Sequence, residues 1–227
     1  MPDLLYEIGT EELPAGYLCP ALDELAADIQ RRLEEARLEP ARVRTAGTPR
    51  RMCVAVEGIP ETQPGVTEKV TGPPAGVAFD EDGNPTRAAE GFARSKGVDV
   101  SDLKVEDTDK GEYVVVEVSE PGRPAVELLA DILKEVTAGI TFPKSMHWDQ
   151  GNVQFARPIR RIVALVDDEV LSLIVSGLTA GRTTVGHPFL APGEIELADA
   201  SFEGYLDALR EQDVIAARDS VERAAVA

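Results

Sequence analysis

Three arginine-bearing turns hold the residue types best suited to chemistry. Thr48-Pro49-Arg50-Arg51 sets two guanidinium groups beside a rigid proline. Phe155-Ala156-Arg157-Pro158-Ile159-Arg160-Arg161 repeats that arrangement ahead of a strand, and Gly181-Arg182-Thr183-Thr184 adds hydroxyls and a flexible backbone. Arginine forks match phosphate oxygens in pairs, and hydroxyls and amides commonly contact nucleic-acid backbones. Phe142, Trp148 and Phe155 flank the second turn and suit either stacking on unpaired bases or burial in a core. For any single arginine the plain alternative is a solvated surface side chain.

Other chemistries find no foothold. The two histidines, His147 and His187, stand forty residues apart without metal-ligand spacing, so no metal site is expected. There is no Gly-x-Ser-x-Gly elbow, and Cys19 and Cys53 read as small apolar fillers rather than nucleophiles. Neither a P-loop nor Gly-x-Gly-x-x-Gly is present. Glu11-Glu12 suits the start of a helix, with Thr10 as its cap, better than acid–base catalysis. No catalytic residue and no cofactor are assigned to this chain.

The chain has 227 residues and a formal net charge of −18, with 43% hydrophobic and 28% charged residues. These are globular proportions. The acidic balance argues against indiscriminate nucleic-acid binding. Two basic islands interrupt it: residues 31–51 hold seven Arg against three Glu, and residues 142–161 hold Lys144, Arg157, Arg160 and Arg161 against Asp149. No apolar run approaches the ~20 residues of a membrane span. The N-terminus lacks the pattern of a signal peptide, and two cysteines cannot form a disulfide framework. A reduced, cytoplasmic protein without membrane association is expected.

The elements that must position these turns are readable in part. Leu4–Ile8 is a strand stopped by Gly9. Leu18, Leu22, Leu25, Ile29, Leu33 and Ala36 recur at helical spacing, with Pro20 near the helix start and Pro40 ending it. Val43–Thr45 and Met52–Glu57 are strands, and residues 58–76 read as a connection to a second module. Asp80–Pro85 is a turn, Thr86 caps a short helix to Lys96, and Gly97 stops it. After the turn at Asp109–Gly111, residues 112–118 form a strand. Pro124 opens a helix with Val126, Leu129, Leu133 and Val136 on one face. Residues 162–166 and 170–175 form a hairpin, residues 181–193 a loop, and Phe202, Tyr205, Leu206 and Leu209 a helix, followed by a last helical stretch towards Ala227. Without a clean βαβ alternation, an α+β fold with mostly antiparallel strands is predicted. Its core comprises residues 1–62 and 121–227, and residues 63–120 form a small inserted module.

Read in order, several strings resemble one family, the β subunit of the bacterial two-subunit glycine–tRNA ligase. They are Glu7-Ile8-Gly9-Thr10-Glu11-Glu12-Leu13-Pro14, Gly47-Thr48-Pro49-Arg50-Arg51, Thr71-Gly72-Pro73-Pro74, residues 88–94, Thr108–Tyr113, Phe142-Pro143-Lys144-Ser145-Met146, Phe155–Arg160, and Gly186-His187 with Phe189. The resemblance implies an α2β2 enzyme that joins glycine to its tRNA with ATP. Its class II active site, with ATP and Mg, lies in the α subunit, while the β subunit binds tRNA and completes the assembly. This chain resembles the N-terminal third of such a subunit and would be its non-catalytic N-terminal region, with the α subunit and glycine tRNA as partners. Under the resemblance the phosphate or interface contacts are Arg50, Arg51, Lys144, Arg157, Arg160 and Arg182. Arg157 is equally suited to pairing with a buried carboxylate such as Glu7 or Glu11. Three positions depart from the family pattern: His147 and Pro188 where arginine is usual, and Arg161 where tryptophan is usual. These departures leave a second reading open, a stand-alone truncated paralogue acting as a tRNA-binding or adaptor module without aminoacylation.

Overall fold

A computed structural model describes residues 1–14, 16–80, 83–108, 111–148 and 153–217. The chain divides into two compact units, residues 1–63 with 123–227, and residues 64–122. In chain order, the first unit begins with β1 (Leu4–Thr10), α1 (Leu18–Glu35), β2 (Arg42–Thr48) and β3 (Arg51–Glu57). The second unit holds β4 (Val66–Pro74), α2 (Ala75–Ala78), α3 (Arg87–Lys96), β5 (Lys104–Thr108) and β6 (Gly111–Glu120). The chain then returns to the first unit with α4 (Ala125–Gly139), β7 (Met146–His147), β8 (Gln154–Phe155), β9 (Ile159–Val166), β10 (Glu169–Val170), β11 (Ile174–Val175), β12 (Leu178–Thr179), β13 (Thr183–Val185), β14 (Glu194–Glu196) and α5 (Phe202–Arg210). Helices and antiparallel sheets mix as an α+β fold.

The first unit is built on a five-stranded antiparallel sheet in the order β10-β9-β1-β3-β2. Its central strand β1 is buried at all seven positions, because both faces of the sheet are covered. Side chains alternate across a strand, and the alternation sorts the residues cleanly. Leu4, Tyr6 and Ile8, with Met52, Val54 and Val56 of β3 and Ile162, Ala164 and Val166 of β9, pack with α1 and α4. Leu5, Cys53, Ala55, Val163 and Leu165 pack on the other side with Phe202, Tyr205, Leu206 and Leu209 of α5. The result is a sheet between helical layers, which explains why β1 and β3 read as near-continuous apolar runs.

Spacing at three and four places Leu22, Leu25, Ile29 and Leu33 on the buried face of α1. The helix starts at Leu18 and accommodates Pro20 in its first turn. Thr10 and Glu11 therefore do not cap it: Thr10 is the last residue of β1, and Glu11 pairs with Arg160. In α4, Leu129, Leu133 and Val136 are buried, whereas Val126 is exposed. Tyr6 reaches across to this helix and donates to Thr137 Oγ1 at 2.6 Å, while the Thr137 hydroxyl donates to the Leu133 carbonyl at 2.7 Å. Cys53 is buried as expected, but Cys19 is exposed.

The second unit is a three-stranded antiparallel sheet, β4-β6-β5, with α2 and α3 enclosing a small core of Ala78, Ala89 and Val114. Thr86 caps α3 by accepting from the Ala88 amide, and Gly97 ends it at a φ of 68°. The stretch 58–76, read as a connection, contains the strand β4. Its Gly72 is required where it stands, since a Cβ there would lie 2.6 Å from the Phe92 ring. The expected turns at Asp80–Pro85 and Asp109–Gly111 fall partly outside the described residues, as does the last helical stretch. The loop expected at 181–193 contains β13, which pairs with β14, and the strand expected at 170–175 is divided between β10 and β11.

Candidate functional site

The register of the sheet assembles a buried charge cluster. On β1, Gly9 lies opposite Arg51 of β3 on one side and Arg161 of β9 on the other. Two positions earlier on the same face of β1 is Glu7, fully buried. Gly9 makes this possible, because a Cβ there would collide with the Arg161 side chain at Cγ.

Glu7 collects partners from four elements. Arg161 Nε donates to Oε1 at 2.8 Å, the Thr184 hydroxyl lies 2.8 Å from both oxygens, and the Tyr205 hydroxyl donates to Oε2 at 2.5 Å. Arg51 Nη1 stands 3.7 Å from Oε2 and donates to Thr184 Oγ1 at 3.1 Å, and Arg51 Nη2 donates to the Val185 carbonyl at 2.6 Å. A buried carboxylate is tolerable only with this degree of pairing. Burial and the Glu7 charge push the Cys53 thiol and the Tyr205 phenol well above their ordinary ranges.

Above the cluster opens a cavity of about 720 Å³. One wall is the β2–β3 hairpin turn at Pro49 and Arg50, tied to the end of β1 by Thr10 N–H to Arg50 O at 2.9 Å and Leu13 N–H to Pro49 O at 2.7 Å. The start of β9 forms another wall, fixed by Glu11 N–H to Pro158 O at 3.0 Å. A third is the β13–β14 loop. Its Gly186 passes so near the Ala191 carbonyl that a Cβ would lie 2.5 Å from it, and His187 Nδ1 accepts from the Phe189 and Leu190 amides. The loop presents Phe189 and Leu190 to solvent, 85% and 69% exposed.

The six residues singled out from the sequence separate. Arg50, Arg51 and Arg160 meet at the cavity; Lys144, Arg157 and Arg182 lie outside its lining. Arg50 is exposed, and its guanidinium makes no hydrogen bond or ion pair with a described residue. Arg160 is exposed and holds Glu11 at 2.7 Å. Arg51 is 3% exposed, so its expected phosphate contact gives way to an interior one: its odd position on β3 turns it to the sheet face rather than to solvent. Arg182 donates to the Asp168, Leu197 and Ala198 carbonyls and so pins loops instead of standing free. Arg157 is exposed and donates to the Glu12 carbonyl at 3.1 Å. The buried carboxylate suggested as its partner, Glu7, belongs to Arg161 and Arg51, and Glu11 to Arg160. Lys144 is exposed. Of the aromatics, Phe155 is core and stacks edge-on with Phe142, whereas Trp148 is 41% exposed, with its ring nitrogen donating to the Phe155 carbonyl.

Arg161 lies in the second arginine-bearing turn but is not among the six candidate contact residues, and its pairing with Glu7 places it in the buried cluster. A signal was available: a lone glutamate inside Leu4-Leu5-Tyr6-Glu7-Ile8 demands buried cations, and the strand pattern of 159–166 supplies one. Among the described residues no three His, Cys, Asp or Glu side chains gather to hold a metal ion, and no helix is long and apolar enough to cross a membrane.

Comparison with known proteins gives this arrangement its context. A family profile described as glycyl-tRNA synthetase beta subunit matches residues 4–226. The glycine–tRNA ligase beta subunit of Geobacter metallireducens is 45% identical over 215 residues, covering 95% of this chain and 31% of that protein. Those of Syntrophotalea carbinolica and Moorella thermoacetica are 47% and 44% identical over 90% and 94% of this chain, and 29% and 30% of their own lengths. The chain thus spans under a third of the curated relatives it matches. With its sheet, its cluster and its cavity falling within the matched residues, the chain belongs to the glycyl-tRNA synthetase beta subunit family.

Proposed function

We propose that this chain acts as the N-terminal region of the β subunit of a two-subunit glycine–tRNA ligase, where it contacts tRNA and takes part in assembly with the α subunit. In this reading the chain is not itself catalytic. ATP, Mg and the class II active site belong to the α subunit of a cytoplasmic heterotetramer, and glycine tRNA is the nucleic-acid partner. The observation that carries the reading is the exposed pair at the cavity mouth, Arg50, whose guanidinium has no partner among the described residues, and Arg160, which lines the same cavity. An uncommitted guanidinium on a rigid proline turn is suited to paired hydrogen bonds with a phosphate. The rest of the acidic surface disfavours binding elsewhere.

The double substitution Arg50→Glu with Arg160→Glu tests it. Affinity for glycine tRNA is measured against salt concentration, with wild type alongside. The substitution lowers affinity uniformly across tRNA sequences and reduces the salt slope by about one for each phosphate no longer neutralised. Unchanged affinity and slope would contradict the assignment. Arg51→Glu is not a usable variant, because it would place a second carboxylate against buried Glu7.

A further inference from the structure

Three buried side-chain polar atoms have no hydrogen-bond partner among the described residues: Thr10 Oγ1, Arg51 Nε and Arg161 Nη2. All three residues line the same cavity. Native proteins leave few such groups unpaired, and each one calls for a partner. Among the described residues the floor also carries an excess of positive charge, since two guanidinium groups face one carboxylate, Glu7. The acids bordering the cavity do not cancel it: Glu11 is engaged by Arg160, and Glu12, Glu194 and Asp213 are exposed at the rim. A low-dielectric floor with one surplus cation and unpaired donors favours a compact anion.

The walls narrow the class. A volume of about 720 Å³ exceeds what a bare anion needs and falls within the range of small-molecule sites. The mouth offers Arg50 as a second cationic contact, and Phe189 as an exposed aromatic face of the kind on which bases stack. We infer that this cavity binds a single nucleotide unit, with its phosphate towards Arg161 and Arg50 and its base against Phe189. The phosphate is carried either by a free nucleotide or by the terminal nucleotide of an RNA chain. The inference rests on the buried floor and its mouth, and does not require that the rim bind a whole tRNA.

Titration of the full chain with adenosine 5′-monophosphate, adenosine and inorganic phosphate, followed by calorimetry and by Phe189 ring resonances, tests it. The nucleotide binds one to one and about tenfold or more tighter than adenosine, reflecting one charge-assisted contact. Arg161→Lys weakens the nucleotide about tenfold. Phe189→Ala, at an exposed site outside the core, does the same to the nucleotide but leaves phosphate unchanged. A short single-stranded RNA with a terminal phosphate displaces the nucleotide if the source is an RNA end, and fails to displace it if the source is a free nucleotide. Adenosine binding as tightly as the nucleotide, no effect of Phe189→Ala, or displacement by an acidic peptide but not by phosphate each overturns the assignment. Whole tRNA bound without the nucleotide overturns the pocket alone; the nucleotide bound without tRNA overturns the rim reading alone.

Discussion

Glu7 and Arg51 sit in two of the most apolar strands of the chain, and their neighbours settle what they do. Removing one member of such a buried pair costs about 3–5 kcal/mol, because the other charge is left without compensation. That is why Arg51, adjacent in sequence to the exposed Arg50, is a structural residue. The same burial has a consequence at high pH. Burial and the Glu7 carboxylate raise the Cys53 thiol and the Tyr205 phenol above their ordinary values of 9.0 and 10.0, and burial raises the Tyr6 phenol. In the folded chain all three stay protonated where the unfolded chain ionises. Their contribution to stability is therefore complete below pH about 9 and is lost progressively as pH rises through and beyond the ordinary values. Melting temperature followed against pH declines on this alkaline limb, and Tyr6→Phe makes the decline shallower by removing one of the titrating groups. An equally steep decline in Tyr6→Phe would count against the assignment.

At the level of elements, the sheet register converts sequence position into side-chain placement. Gly9 is the point where Arg51 and Arg161 approach the central strand from opposite sides. Gly9→Ala drives a methyl group into Arg161 Cγ. The expected cost is about 1–3 kcal/mol, as for overpacking of a tight interior, read as a lower denaturation midpoint with an unchanged denaturant slope. A midpoint equal to wild type would mean that Arg161 can leave Gly9 without penalty. The helices α1 and α5 were legible because their apolar residues recur at three and four, and α3 because Thr86 and Gly97 mark its ends. The strand β4 was hidden by Gly72, Pro73 and Pro74, which look like a linker although the glycine is there to admit the Phe92 ring. The split between Arg50 and Arg51 could not be read from a turn motif alone. It depends on which residue of a hairpin first enters the ladder, and adjacent strand positions face opposite ways. The role of Arg161 is not legible in the sequence for a related reason: its partner Glu7 lies 154 residues away, brought close only by β9 pairing with β1.

At the scale of the molecule, an acidic chain brings two exposed arginines, Arg50 and Arg160, to the mouth of one cavity, while Arg157 and Arg182 hold backbone carbonyls, Arg51 lies in the interior and Lys144 is exposed elsewhere. A surface of that kind suits contact at one place with a polyanion and little contact elsewhere. The family membership extends across nearly the whole chain, while the relatives are more than three times longer. The role proposed for this region lies in the tRNA and subunit contacts of such an enzyme. Native mass spectrometry of the chain mixed with glycine tRNA and with the ligase α subunit addresses it most directly. Complexes of the chain with tRNA and with the α subunit are expected, the former weakening as salt is raised. A spectrum showing only the free components at low salt would contradict it.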